Sequence, residues 1–495
     1  MLKCELDVHI LSRFSIVAPG IMSESRIKRA VVVGSGPNGL AAAIELARNG
    51  VAVRVLEAQN TIGGGTRSGE LTLPGFVHDI CSAAHPMALA SPFFRQLPLA
   101  AHGLEWIQPS ASVAHPFDDG TAAVLERSVD ETCDALDAAD RKAYRRLMQP
   151  LVEDWEYLVA DLLAPIGFPR HPFKAARFGL RGLRSAEGLA KSFFKEKRAR
   201  AFLGGICAHS LLSLDQTASA SFGLMLALTG HAVGWALPRG GSQKIADALC
   251  SYLRVLGGEV IADAPVESVE EFLSNDALVL CDTTPRGLLK IAGHLLPENY
   301  RRKLEKFKVG GGVFKIDWAL SNSIPWKAAN ARRAGTVHVG GSFEEVAASE
   351  AAPSRGIASE KPFVLMTQPS LFDATRAPAG KHTAWGYCHI PNASTFDMTE
   401  RIENQIERFA PGFQDCIIAR KISAPAELER HNWNLVGGNI SGGSQDITQL
   451  FLRPTRRMYS TPVKNLYLCS SSTPPGGGVH GMCGYFAARA ALKGR

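Results

Sequence analysis

The clearest pattern along the chain is an apolar run at 30–33 that breaks into Gly34-Ser35-Gly36-Pro37-Asn38-Gly39 and then takes up a helical period. Leu40, Ala43, Ile44 and Ala47 recur three or four residues apart, Asn49-Gly50 stops them, and Val51, Val53 and Val55 alternate up to Glu57. This predicts a strand–helix–strand unit over residues 30–57. Further strands are predicted at 259–261, 277–281, 313–318, 363–366, 382–387 and 465–469. Helices are predicted within 130–164 and 212–228, with a closing small-residue helix at 484–492. Between 71 and 115 no period is clear.

These elements predict an α/β fold. A discontinuous Rossmann-like nucleotide-binding domain would take 28–70, 236–285 and 456–495. A mixed-sheet substrate domain would take 71–118 and 306–455, and a helical insertion 119–235. Residues 1–27 read as a loose extension in which Met22 is the more natural start.

Composition narrows the function. With 46% hydrophobic and 20% charged residues the chain can bury large cores, which excludes a disordered polypeptide. Its 54 Lys+Arg against 47 Asp+Glu give only +7, short of a nucleic-acid-binding balance, so no nucleic-acid partner is expected. The ten cysteines contain no C-x-x-C, which excludes dithiol flavoenzymes and zinc knuckles and fits a reducing, cytoplasmic setting with no metal site. No run approaches the roughly 20 apolar residues of a membrane-spanning helix.

The positive charge is local. Residues 173–200 hold nine basic and two acidic residues. Phe173, Ala176, Leu180, Leu183, Ala190 and Phe194 fall on one helical row, with Lys174, Arg177, Arg181, Arg184, Lys191, Lys195 and Arg198 beside it. This is the arrangement of a helix lying in a membrane interface, although a solvated basic face is the commoner source of such a pattern; peripheral membrane contact through 173–200 is kept beside it as the second reading.

The glycine turn carries the chemistry. Gly34 permits the tight turn, Gly36 lets backbone approach a pyrophosphate, and Gly39 lets the helix pack close to the sheet, with Ser35, Pro37 and Asn38 completing the cradle. A phosphate would sit on the helix N-terminus. Glu57, followed by Ala58, is placed to accept hydrogen bonds from ribose hydroxyls, and an acid there disfavours a 2′-phosphate, leaving FAD or NAD. A second cluster, Gly63-Gly64-Gly65-Thr66-Arg67, favours FAD by folding more backbone over one dinucleotide, with Arg67 available to phosphate. A flexible turn is the alternative there.

Together, Gly34 to Gly39, Glu57 and Gly63-Gly64 resemble the FAD-binding start of the phytoene desaturase-like flavoproteins, within the glutathione-reductase and amine-oxidase type of FAD fold. Within that family the likeness is greatest to a branch carrying a pyridine nucleotide-disulphide oxidoreductase label. Pro238-Arg239-Gly240-Gly241-Ser242-Gln243-Lys244, followed by Gly257-Gly258-Glu259-Val260, resembles the family's middle motif. Pro265-Val266-Glu267-Ser268-Val269 would be the strand passing the adenine, with Val266 against it. At the other end Pro475, Gly476, Gly477, Gly478, Val479 and Met482 resemble the segment that closes over pyrophosphate and isoalloxazine. Cys469-Ser470-Ser471 departs from the family pattern, as does His480, which stands where Pro is common.

The resemblance implies FAD as cofactor and an oxidoreductase that passes a hydride from a small, apolar organic substrate to flavin N5 in desaturation-type chemistry. The competing readings are an amine oxidase, which would need an aromatic cage or an acid near the flavin to position the amine, with Trp385 and Tyr387 among the available aromatics, and an idle flavoprotein serving as a scaffold. His480 is the catalytic candidate, an acid or base at the flavin edge, or else a histidine fixed by neighbouring backbone. His78, Asp79 and His85 are further candidates for the same cavity, as is the stretch 431–446, whose glycines read equally as loop punctuation.

Overall fold

The structure, a computed structural model, describes residues 27–494. The predicted extension, apart from Ile27, lies outside the described residues, as does the Met22 start.

A five-stranded parallel sheet lies at the centre of the nucleotide-binding part, in the order Leu466–Leu468, Ala277–Cys281, Arg29–Val33, Ala52–Leu56, Glu259–Ile261. Alternate residues of each strand face opposite sides, so both faces must be covered and the strands read as nearly continuous apolar runs. Val32, Val53, Val55, Leu278 and Leu280 pack under helices Pro37–Arg48, Gln243–Val255 and Met482–Lys493. Val33, Val279 and Cys281 pack on the other face under Pro285–Ala292 and Glu298–Glu305.

A seven-stranded mixed sheet runs in the order Ile417–Ser423, Gly312–Leu320, His382–Ile390, Val364–Thr367, Ala334–Val339, Ala111–Pro116, Ala122–Leu125. Only the pairing of 334–339 with 111–116 is parallel. Its register sets the cavity wall. Asp317 lies opposite Trp385, Trp385 opposite Thr367, and Thr367 opposite Thr336, while Lys315, Tyr387, Leu365 and His338 form the next row. Because side chains alternate across a strand, both rows face the same side. The edge strand Ala122–Leu125 falls inside the stretch expected to be helical.

A run of helices fills 129–232, in shorter pieces than the periodicity predicts. Segment 130–164 is divided into Val129–Asp134, Ala138–Glu153 and Trp155–Leu162. The helix expected from 212 starts at Ser219, because Ser213 and Asp215 bond each other and Ser219 Oγ donates to the Leu214 and Gln216 carbonyls, the local competition that keeps such residues out of helices. The row expected over 173–200 is split between Pro172–Gly182 and Ala186–Phe193, since Ser185 caps the second helix by accepting from Gly188 N–H. Ala190 and Phe194 are buried and leave the outward face. Among the described residues no helix is long and apolar enough to cross a membrane.

Candidate active site

The glycine turns, the mixed sheet and the helical region enclose one cavity of about 910 Å³. Gly34, Gly36, Pro37, Asn38, Glu57, Ala58, Gly64, Gly65, Arg67, Val266, Pro475, Gly477, Gly478, Val479 and His480 all line it. Three stretches more than 180 residues apart in sequence therefore meet at one surface.

Ser35, Gly39, Gly63, Thr66, Gly476 and Met482 stand behind this lining. The Ser35 hydroxyl donates to Glu57 Oε2 at 2.6 Å and its N–H to the same oxygen at 2.9 Å, while Gln59 N–H takes Oε1 at 3.0 Å. Gly63 N–H donates back to Ser35 Oγ, and Thr66 Oγ1 donates to the Gly63 carbonyl. Both glycine clusters are thus tied to the ribose-side carboxylate. Gly39 admits no side chain, because a Cβ there would collide with the Gly34 carbonyl oxygen. Gly64, at φ +53°, would place a Cβ 3.1 Å from the Gly36 Cα, so the second cluster lies directly on the first.

A dinucleotide fits the groups left over. The helix Pro37–Arg48 starts at Gly36 without a cap from that residue; Asp282 takes the Gly39 N–H of its first turn, and among the described residues the buried Asn38 Oδ1 has no partner. Arg453 is buried and lines the cavity, yet its three hydrogen bonds go to the neutral carbonyls of Ser441, Ser444 and Ser471. Burial draws its guanidinium down to about 10, and among the described residues no ion pair compensates the charge. These features suit the phosphates and polar rim of FAD.

Arg67 is more committed than its sequence position implies. It is buried, with Nε donating to the Gly64 carbonyl at 3.1 Å and Nη2 to the His431 carbonyl at 2.5 Å. It anchors the second cluster to the 431–446 stretch, whose His431, Asn432, Asn434, Ser441 and Gln445 also line the cavity. Val266 lines the cavity but belongs to no strand. The chain bonds to Glu57 and Gln59 through the Ala264 and Asp263 N–H groups, and Pro265 then has no N–H with which to continue a ladder.

His480 lines the cavity, and its ring is held by neighbouring backbone, the second of the two arrangements expected for it. Its Nδ1 accepts from Met482 N–H at 3.0 Å, and burial lowers the imidazole to about 4 against opposing bonds to the Gly476 and Gly477 backbone. It is a neutral clamp on the C-terminal turn. His78 and Asp79 do not line the cavity. Asp79 bonds Arg376 at 2.7 Å and accepts from Ser68 Oγ and Ser242 N–H. His78 bonds Thr72 Oγ1 at 2.8 Å, and burial lowers it to about 3. His85 reaches the cavity but is held by Ser242 Oγ.

Besides Arg453, two groups escaped the sequence reading because only the fold brings them near the site. Asp282 follows the strand Ala277–Cys281 and accepts from Gly39 N–H at 2.9 Å, beneath the glycine turn. Burial pushes its carboxyl up to about 7, with the Gly39 bond opposing and Glu57 adding to the rise. A folded-state value raised above the unfolded one stabilises below about pH 4, and that contribution is lost as pH rises to about 7. Asp282→Asn, which keeps an acceptor for Gly39, is therefore expected to retain flavin and to gain stability relative to wild type between pH 5 and pH 8, by on the order of 3 kcal/mol. Melting curves followed by flavin fluorescence test this, and parallel pH dependences would refute it. The second group is Lys315, ion-paired with Asp317 and 5.3 Å from the Trp385 ring centroid.

Trp385 and Tyr387 stand side by side in the cavity wall, ring centroids 5.6 Å apart and planes 22° apart. Thr336, Leu365, Thr367, His209, Met225 and Trp235 continue this wall. The carboxylates lining the cavity are Glu57 and Asp282 at the glycine turns and Asp161 in the segment 160–170. The aromatic wall carries none. Among the described residues no cluster of three metal-ligating side chains occurs.

A family model described as flavin containing amine oxidoreductase matches residues 38–288. The chain is 25% identical to pyridine nucleotide-disulfide oxidoreductase domain-containing protein 2 of Rattus norvegicus, over 94% of this chain and 93% of that protein. It is likewise 25% identical to the neurosporene-forming phytoene desaturase of Rhodobacter capsulatus, over 92% of each. Among solved structures, an oxidoreductase from Methanosarcina mazei superposes with a TM-score of 0.64 at 14% identity, covering 94% of this chain and 100% of that one.

Proposed function

Because the chain belongs to the flavin containing amine oxidoreductase family, we propose that it oxidises a small apolar substrate by desaturation-type chemistry, with flavin N5 as the hydride acceptor. The protein is an FAD-dependent oxidoreductase. Bound FAD supplies the two-electron acceptor, and the chain supplies binding, orientation and a dry pocket. Glu57 would hold the ribose, the Gly36–Asn38 helix start and Arg453 the phosphates, and the Gly477–Val479 turn the flavin side.

One observation carries the substrate reading: the wall facing away from the glycine turns is aromatic and neutral. His209, the one titratable imidazole on that wall, is lowered by burial to about 3, and Asp317, beside Trp385 on the same sheet face, does not line the cavity and is ion-paired with Lys315. A substrate ammonium would meet no carboxylate on that wall, only the Trp385 and Tyr387 rings, and their attraction is smaller than the cost of burying an unpaired charge. An apolar skeleton meets the Trp385 and Tyr387 rings, Leu365 and Met225.

Anaerobic mixing of the purified holoprotein with two panels tests this reading. Neutral, apolar alkenes and alicyclic compounds are expected to bleach the oxidised flavin band. Primary and secondary amines are expected not to. Bleaching by amines alone would make the protein an amine oxidase, and no bleaching by either panel would favour the scaffold reading.

A further inference from the structure

One rim of the cavity is apolar and exposed. Phe168 lines the cavity and is still 91% exposed, which places it at the mouth. The next helix, Pro172–Gly182, turns Ala175, Phe178, Gly179 and Gly182 towards the cavity and leaves Phe173 and Leu180 92% and 78% exposed on its outer side. Seven residues apart, those two share one helix face. A single exposed apolar residue needs no explanation, but a group of large ones around a cavity mouth marks a contact surface.

Charge identifies the partner. Lys174 and Arg177 share the single carboxylate of Asp154, both at 2.9 Å. Arg181 donates to the Leu147 and Arg146 carbonyls and Arg184 to that of Gly188, and carbonyls leave a guanidinium charge uncompensated. The apolar tips therefore sit inside a belt of net positive charge. That combination matches the interface of an anionic bilayer, where apolar side chains enter the acyl region and arginines meet phosphates.

We propose that this rim docks on a lipid surface containing anionic phospholipid, with Phe168, Phe173 and Leu180 inserted, so that the cavity mouth opens towards the membrane. The docking stands on the exposed rim alone. Delivery of substrate from the lipid rests in addition on the apolar-substrate reading above.

Flotation of the holoprotein with vesicles of phosphatidylcholine, alone or mixed with phosphatidylglycerol, tests the docking. Wild type is expected to float with the mixed vesicles and to bind less as salt rises, because the attraction is screened. The variant Phe168→Ser/Phe173→Ser/Leu180→Ser should lose binding by about tenfold or more, since burial of each side chain contributes substantially. Its flavin content should stay at the wild-type level, because all three side chains are exposed and none touches the glycine turns. Wild type that ignores both vesicles at low salt, or a variant that binds like wild type, overturns the proposal. So does a wild-type oligomer that the variant dissociates, which would make the rim an interface between copies. Bleaching of the flavin by detergent-dispersed substrates is read separately, so failure of the substrate reading cannot be mistaken for failure of docking.

Discussion

Protein carrying Glu57→Ala is expected to purify with less than about a tenth of the wild-type flavin, with apparent FAD affinity weakened on the order of a hundredfold or more. The carboxylate accepts from Ser35 N–H, Ser35 Oγ and Gln59 N–H, and it lines the cavity where the ribose would lie. Hydrogen bonds to an ionised group contribute about 1.5–3 kcal/mol each. Alanine removes the ribose contact and also frees Ser35, the residue through which Gly63 is tied to the first turn. Two losses then fall on one ligand. Glu57→Gln keeps acceptor capacity at one oxygen and should lie between the two. Released flavin measured by absorbance after denaturation decides the matter, and wild-type content in Glu57→Ala would remove the residue from the site.

Arg376→Ala should be the most destabilising exchange of a single buried side chain, by about 3–5 kcal/mol, because it leaves a buried carboxylate without its counter-ion. Burial alone would raise the Asp79 carboxyl, but the Arg376 charge and the Ser242 and Ser68 hydrogen bonds outweigh it, and the group sits below its ordinary value. The stability this provides is present above about pH 4 and is lost as pH falls. Without the guanidinium the burial effect dominates, so the gap between variant and wild type should be widest near pH 7–8 and close as acid protonates Asp79. Arg376→Ala/Asp79→Asn should recover part of the loss. Urea unfolding of the three proteins at two pH values tests this, and a pH-independent gap would show that the arginine acts by packing alone.

The parts of the site that were legible in sequence are those in which backbone geometry itself demands a residue type. Gly39 has no room for a side chain and Gly64 lies against Gly36, so those glycines stand at fixed spacing and can be read. Glu57 was legible because it ends a strand whose length the alternation sets. Asp282, Arg453 and Lys315 were not, since an acid after a strand, an arginine before a proline and a lysine within a strand are each unremarkable until the chain folds. The mixed sheet was visible as alternation, but its order was not, and the row of Asp317, Trp385, Thr367 and Thr336 exists only through that order. The basic row over 173–200 misled because a helical period cannot register a cap: Ser185 ends the row, and beyond it Ala190 and Phe194 turn inward instead of continuing the outward apolar face.

The strand order of the parallel sheet has a consequence for how the protein is made. Its central strand, Arg29–Val33, pairs with a segment almost 250 residues later, and the edge strand Leu466–Leu468 follows that segment by nearly 190 residues more. Pairings of such long sequence separation cost loop-closure entropy before they are rewarded, which makes folding slow. During synthesis the glycine turns emerge early and must wait, with their apolar strands exposed, for partners still inside the ribosome. Newly made chains should therefore depend on chaperones until the C-terminal helix Met482–Lys493 can pack on Pro37–Arg48.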